Sequence, residues 1–586
     1  TDPRLKEKKE KSANDARTQL HASLALLPVD AGQVDYLYKR LLKGEPQEVV
    51  VIREALLGHK ADLMEPLWTV LANPKNDQDE RFRAACALAV FAPDDSRWER
   101  VSGDVAATLV IQKPFVIGEW KDALKGVGYW LIPPLADFLI HEKRSVSERG
   151  LIASIYGNYA IDTRNAVARL EKRLTEASEP NASIEANVAL AKTQASIAVA
   201  LLVIGTGERV WPLLKHSPDP TLRSYLMDRL GPGGVDPKVL TVRFSKEKEV
   251  SVKRAILLSL GEYGLDRLSL AERQSHLPWL RELYRDDADP GIHGAAEWLL
   301  RRWEALDEMK AIDKALAMGK VEGKRQWYLN RQGQTMVVVP NPGAFWMGEG
   351  GEKHRRRIDR SFAIASKQVT AGQFLRFRKE HKYAKQIAPT DDCPVNMVSW
   401  YEAAAYCNWL SEQEGLPRGQ WCYEANDKDE YAAGMKMAPD YLQRTGYRLP
   451  REAEWEFSCR AGSQTGYSFG ESADLLDSYG WYFKNSAAES PVGLLKSNDL
   501  GLFDMHGNVW QWCQDAYEAY PKGAGSYDDK EVGKITQQKN RVLRGGSMGN
   551  LASVARSANR DYGAPTVRSV NYGFRVARTL PLDGGI

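Results

Sequence analysis

From about residue 34 to 305 the apolar positions return at three- and four-residue spacing, the period of helices that bury one stripe. Beyond about 333 that period breaks. Gly333-Gln334-Thr335-Met336-Val337-Val338-Val339-Pro340 reads as a β-branched strand, and from there Gly, Trp and Tyr become dense. Before residue 34, Arg4 to Leu27 alternates charge with Ala and Leu and predicts a helix whose Lys6 to Lys11 run faces solvent. These changes divide the chain into a charged helical leader (1–33), a helical repeat domain (34–305), a helical linker (306–332), a compact domain (333–580) and a tail (581–586).

Within 34–305 one local pattern recurs, an acidic or proline turn followed by an apolar-arginine start to a helix. It is seen at Asp79-Glu80-Arg81-Phe82-Arg83, Ser217-Pro218-Asp219-Pro220-Thr221-Leu222-Arg223, Glu249-Val250-Ser251-Val252-Lys253-Arg254 and Ala288-Asp289-Pro290-Gly291-Ile292-His293. The last three recur at roughly 30–40 residues, near the period of paired-helix solenoids. A two-helix unit cannot bury its apolar stripe alone, so neighbours stack. The region resembles degenerate HEAT-type repeats; an irregular helical bundle is the alternative.

Composition narrows the function classes. A formal net charge of +3 over 586 residues supplies no basic face for phosphate contacts, so no nucleic-acid partner is expected. No uninterrupted apolar run reaches the ~18 residues of a membrane span; Ala195 to Gly205 reads as a buried helix. The chain opens Thr1-Asp2-Pro3, which leaves open both a cytoplasmic protein and the extracytoplasmic part of a longer one. The six cysteines (86, 393, 407, 422, 459 and 513) make no Cys-x-x-Cys pair, and the nine histidines make no His-x-x-x-His spacing.

The compact domain carries a series of blocks. They are Phe345-Trp346-Met347-Gly348, Val369-Thr370-Ala371-Gly372-Gln373-Phe374, Pro394-Val395-Asn396-Met397-Val398-Ser399-Trp400, and Tyr447-Arg448-Leu449-Pro450-Arg451-Glu452-Ala453-Glu454-Trp455-Glu456. Gly501-Leu502-Phe503-Asp504-Met505-His506-Gly507-Asn508-Val509-Trp510-Gln511-Trp512, Leu543-Arg544-Gly545-Gly546-Ser547 and Gly573-Phe574-Arg575 complete it. In this order they resemble the formylglycine-generating-enzyme, or sulfatase-modifying-factor, family. The resemblance implies a C-type-lectin-like fold with little regular structure. The chain as a whole is therefore expected to be α+β multidomain, an all-α solenoid before that fold. Arg448, Glu454, Trp510, Trp512, Arg544 and Arg575 are expected to be structural, because buried Trp and Arg need partners for their N–H groups. The helical region, with Val210-Trp211-Pro212-Leu213-Leu214 and Ala295-Ala296-Glu297-Trp298-Leu299-Leu300, resembles the non-kinase part of planctomycete-type serine/threonine kinases. No Gly-rich loop, His-Arg-Asp or Asp-Phe-Gly kinase signature is present.

The resemblance also implies chemistry that this sequence lacks. Formylglycine-forming relatives use two cysteines after Gly-Gly-Ser to hold copper, and soft Cu(I) needs thiolates. Here that segment is Met548-Gly549-Asn550-Leu551-Ala552-Ser553-Val554-Ala555, and no cysteine follows Cys513. Formylglycine-generating activity, catalytic residues and copper are not expected. Cys407 and Cys459 match disulfide positions of some relatives, but their partner positions fall in the cysteine-free tail. The His-x-x-x-His-x-Glu iron motif of the sulfoxide-synthase branch is missing as well. Calcium is the one metal the resemblance leaves, through Asn485, Asn508, the Val509 carbonyl and Gln511, with Gln511 replacing a Glu and so weakening a hard-cation site.

What remains is a displayed surface. Met548, Asn550, Asn559, Asp561, Tyr562, Thr566, Ser569, Asn571 and Tyr572 lie between the anchoring blocks and are expected to form a ligand face, since Tyr and Asn make adaptable contacts. The region also resembles the variable segment of retroelement-diversified lectin-fold proteins. The reading is a non-catalytic interaction or scaffold protein, with a protein or glycan ligand on the C-terminal domain and a protein partner along the helices. An enzyme of the same fold using other residues, and the sensor segment of a receptor-type kinase, are the alternatives. Gly231-Pro232-Gly233-Gly234 and Gly348-Glu349-Gly350-Gly351 lack the strand-loop-helix context of phosphate loops. Lys353-His354-Arg355-Arg356-Arg357 reads as a solvated basic loop.

Overall fold

The structure, a computed structural model, describes residues 3–140, 145–160, 164–179, 181–317, 323–520, 535 and 539–581. The last five tail residues lie outside these. The fold is α+β and multidomain: helices up to Leu316, then a strand- and turn-rich domain.

The recurrent acidic turns are helix caps. Asp77 accepts from the Asp79 and Glu80 amides at the start of Gln78–Phe91, and Asp289 accepts from the Ile292 amide at the start of Pro290–Arg302. The arginine that follows has a repeated job too. Arg81 Nε donates to the Leu71 carbonyl (2.9 Å) and Arg223 Nε to the Leu214 carbonyl (2.8 Å), each at the end of the preceding helical turn. Those carbonyls are the orphan acceptors of a helix C-terminus, so each arginine ties one unit to the next.

Two compact units are seen. The first holds residues 1–179, 193–210 and 232–235; the second holds 180–192, 211–231 and 236–586. In the first unit, Gln78–Phe91 is buried along most of its length against Lys60–Ala72, with Trp68 edge-on to Trp98 at 5.3 Å. The helix Ile184–Val203 is long and apolar enough to cross a membrane by length and composition, with 67% of that window buried. This corrects the expectation that no span-length segment exists: Thr, Gln and Lys interrupt the apolar run without bringing the average hydropathy down.

The second unit begins well before the strands. Helices Thr221–Arg229, Val250–Leu260 and Pro290–Arg302 pack into the same body as the C-terminal domain. Asp499 is the hub. It accepts from Arg223 (2.8 and 2.9 Å) and Arg254 (3.5 Å), and pairs with His216 Nδ1 (2.8 Å). Lys496 meets Glu262 at 2.6 Å and Lys367 meets Glu297 at 2.5 Å. Trp327 stacks on His293 at 3.7 Å and donates Nε1 to the Asp287 carbonyl. Gly501 (φ +75°) passes so near Pro290 that a Cβ would sit 2.1 Å from its carbonyl oxygen. The segment 306–332, expected to be a linker, contains the helix Leu306–Leu316, whose Met309 is buried and whose Asp313 bonds Tyr284.

The C-terminal domain has a five-stranded sheet in the order Trp327–Leu329, Thr335–Val339, Phe362–Ala365, Ala577–Thr579 and Tyr447–Arg448, antiparallel throughout. A four-stranded sheet runs Arg560–Gly563, Arg541–Arg544, Trp510–Ala516 and Tyr572–Gly573, the last pair parallel. This second sheet carries the segment on which a ligand face is expected.

Candidate functional site

The site is framed by buried arginines. Arg448 donates to both oxygens of Glu454 at 2.7 Å. Arg544 reaches Glu452 (3.0 Å), Glu456 (2.7 Å) and the Ser557 and Asn559 carbonyls (3.1 Å each). Arg575 instead donates to backbone, the Ala365 (3.0 Å) and Phe503 (2.8 Å) carbonyls, and to Gln511 Oε1 at 2.5 Å. Burial lowers its pKa to about 10. Trp512 is buried and donates to the Val398 carbonyl; Trp510 is buried and starts the central strand.

After the strand Arg541–Arg544 the chain turns through Gly545 (φ +97°) and Gly546 (φ +74°), a left-handed pair that side chains disfavour. It then enters the segment where the fold's redox members carry thiols. Asn550 Oδ1 accepts from the Ser547 amide (3.0 Å) and hydroxyl (2.8 Å), and the Ala555 carbonyl contacts His506 Nδ1 (2.8 Å). Burial holds His506 down at about 4, so it is a neutral ring wedged beneath the loop. All six cysteines are unpaired and buried. Cys459 lies nearest, 3.9 Å from His506 Nε2, and burial pushes its thiol up to about 12. Copper chemistry does not fit this residue set.

The calcium set does not fit either. Gln511 Oε1 is occupied by Trp455 Nε1 (2.8 Å) and the Arg575 guanidinium, and a cation already sits where another would need to bind. Asn508 exchanges both amide groups with the Ser490 backbone, Asn485 Oδ1 accepts from the Tyr482 amide, and the Val509 carbonyl accepts from Gln368. The sequence expectation counted oxygens without seeing that they were committed.

The expected ligand residues divide by exposure. Tyr562 (48% exposed) and Thr566 lie open, with Tyr562 beside Tyr517 at 4.5 Å. Asn550, Asn559, Asp561, Ser569, Asn571 and Tyr572 are half-buried, and Tyr572 packs edge-on against Trp512. Met548, at 7% exposed, belongs to the interior and not to the face: its amide donates to the Asn508 carbonyl, which draws the residue inward. Two exposed apolar residues went unnoticed in the sequence. Phe483 (68% exposed) donates its amide to the Asn550 carbonyl, and Leu551 (65% exposed) follows directly. Within Trp481-Tyr482-Phe483 an aromatic reads as core, and no periodicity separates the outward one.

Residues 328–580 match the sulfatase-modifying factor enzyme 1-like domain family. Among characterised proteins, the chain is 35% identical over 271 residues to the serine/threonine-protein kinase pkn1 of Chlamydia pneumoniae, covering 40% of this chain and 37% of the kinase. It is 30% identical over 197 residues to the formylglycine-generating enzyme of Mycobacterium tuberculosis, covering 28% of this chain and 65% of that enzyme. The chain spans between 24% and 37% of the chlamydial kinases it matches. Among solved structures, the Treponema denticola variable protein 1 matches at 26% identity and a TM-score of 0.37, over 42% of this chain and 95% of that one.

Proposed function

We propose that this chain, whose residues 328–580 form a sulfatase-modifying factor enzyme 1-like domain, is a non-catalytic interaction protein. The segment 548–572 presents a ligand face for a protein or glycan, and the helical region is the scaffold that offers a second, protein-binding surface, built as HEAT-like repeats. One observation carries the reading. The loop after Gly545-Gly546-Ser547 contains no thiol, and its polar groups are spent holding its own shape. An internally bonded loop with exposed Leu551, and with exposed Phe483 bonded to it through the Asn550 carbonyl and Tyr562 on the following strand, suits recognition, since large side chains bury area at small entropy cost.

The test is capture of a partner by the immobilised full chain, compared with Tyr562→Ala and Asn571→Ala. Both substitutions should abolish capture while leaving the fold intact. Capture unaffected by either, or stoichiometric copper with aldehyde formation on a cysteine peptide, would defeat the proposal. A second reading, the sensor portion of a serine/threonine kinase, is favoured by the similarity to chlamydial kinases. Sequencing upstream of Thr1 distinguishes it, because a kinase domain in the same reading frame is required.

A further inference from the structure

Within the second unit a cleft of about 440 Å³ opens between the helices Pro290–Arg302 and Leu306–Leu316 and the first sheet of the C-terminal domain. It shares no residue with the 548–572 face. Its size is that of a small-ligand site, but its lining is not the usual apolar one. Three cations, Arg301, Lys367 and Arg376, and three carboxylates, Asp313, Asp391 and Asp392, line it, and Glu297 behind the wall is a fourth acid.

Several of these charges are already answered inside the protein. Glu297 takes both Arg301 (2.9 Å) and Lys367 (2.5 Å), Asp313 accepts from the Tyr284 hydroxyl (2.5 Å), and Asp392 accepts from the Thr390 hydroxyl (2.5 Å). Among the described residues, Arg376 donates to neutral Gln332 alone. An anionic solute would meet the Asp391–Asp392 rim, and a cationic one Arg376, which has no carboxylate partner among the described residues. Gln334, Gln368 and Gln373 add amides to the wall. Gln368 is buried and turns its amide nitrogen to the Asp504, Gly507 and Val509 carbonyls (3.2–3.3 Å), while its Oε1 has no donor among the described residues.

Such a wall mixes donor-only guanidinium and ammonium groups with acceptor-only carboxylates and two-way amides. A hydroxyl both donates and accepts, so it can pair with each of them without bringing a charge that must be desolvated. We infer that this cleft binds a neutral polyhydroxylated solute, of the saccharide class and about disaccharide size. Its helical wall, Arg301 and Asp313, makes it a property of the joined unit and not of the C-terminal domain by itself.

Titration calorimetry of the full chain with maltose, cellobiose, lactose and chitobiose tests this, with glutamate, lysine and inorganic phosphate as charged comparators. At least one disaccharide should bind, and Arg376→Ala and Asp392→Ala should each weaken it by about tenfold, one good hydrogen-bonded contact. Both variants should keep the wild-type circular dichroism and urea midpoint, since Arg376 and Asp392 make only peripheral bonds. No binding by any of the four, binding unchanged in both variants, or tighter binding of a charged comparator would overturn the assignment. A Tyr562→Ala chain should bind the disaccharide normally, which separates this site from the ligand face.

Discussion

Two regions of the second compact unit are built from similar residue types and behave oppositely. At the Asp499 junction the charged groups are buried or half-buried and matched: one carboxylate serves Arg223, Arg254 and His216, and Lys496–Glu262 and Lys367–Glu297 are further pairs of the same unit. On the 548–572 face, Tyr562 and Thr566 are exposed, and the anchoring is done by backbone and by Arg544 behind the sheet. The contrast shows where identity is dictated. A buried ion has one acceptable partner set, whereas an exposed side chain supported by backbone bonds is open to exchange. The domain thus has a charge-matched root among the helices and a more exposed tip.

Breaking the root should have the largest effect. Asp499→Ala leaves Arg223 as a buried cation without an acid, while Arg254 keeps Asp289, a loss of about 3–5 kcal/mol. Urea unfolding of the full chain should show it as a lower midpoint; a loss under about 1 kcal/mol would mean that the junction is not the root. The same variant carries a pH argument. Burial opposes ionisation of Asp499, but Arg223 and His216 outweigh it and hold its carboxyl well below the usual range. Its contribution is therefore present above the ordinary carboxylate pKa and is lost only as pH falls towards its folded value.

The helical region and the strand at Thr335–Val339 were legible in the sequence, and Arg448, Glu454, Arg544 and Arg575, singled out there, are buried. Periodicity and block order are local signals, and a buried arginine announces its need for partners. The junction was not legible. His216 and Asp499 are 283 residues apart, and nothing near Asp499 in the chain distinguishes it from a surface aspartate. The textural change near 325–332 coincides with the start of the family match at 328, whereas the compact unit already begins at Trp211 apart from a short earlier helix segment. The hydrogen bonds of the expected calcium ligands were hidden for a related reason. Spacing shows that Asn485, Asn508 and Gln511 are available by type, but only coordinates show their oxygens already taken.

Asp504 sharpens the comparison at intermediate size, because it is buried like Asp499 yet poorly matched. One oxygen accepts from the Gly493 amide at 2.8 Å, the other has no partner among the described residues, and Arg575, Lys367 and Arg301 are the cations that act on it. Burial dominates and raises its pKa to about 6 from 3.8. Between those values the unfolded chain has released the proton that the folded chain keeps. Stability therefore falls as pH rises through that window and is flat above it. Asp504→Asn removes the effect and tolerates the left-handed backbone (φ +54°). Its unfolding free energy should gain on the wild type by about 2–3 kcal/mol between pH 4 and pH 7. A constant difference across that range would mean that Asp504 is matched after all.

The smallest stability effect should come from the tip, and that smallness is what makes it informative. Tyr562 is 48% exposed with its ring beside Tyr517, and Thr566 is open to solvent, so Tyr562→Ala with Thr566→Ala should cost no more than about 0.5 kcal/mol. Tyr572→Ala is the internal control, because its ring packs on Trp512 beside the central strand and its loss should cost about 2 kcal/mol or more. Thermal unfolding of the two variants would order them. If the tip pair proved as damaging as Tyr572→Ala, the face would be core, and its side chains would be held by packing and not kept free for a ligand. If the order holds, loss of partner capture in the tip pair cannot be blamed on unfolding, and the exposed residues themselves must carry recognition.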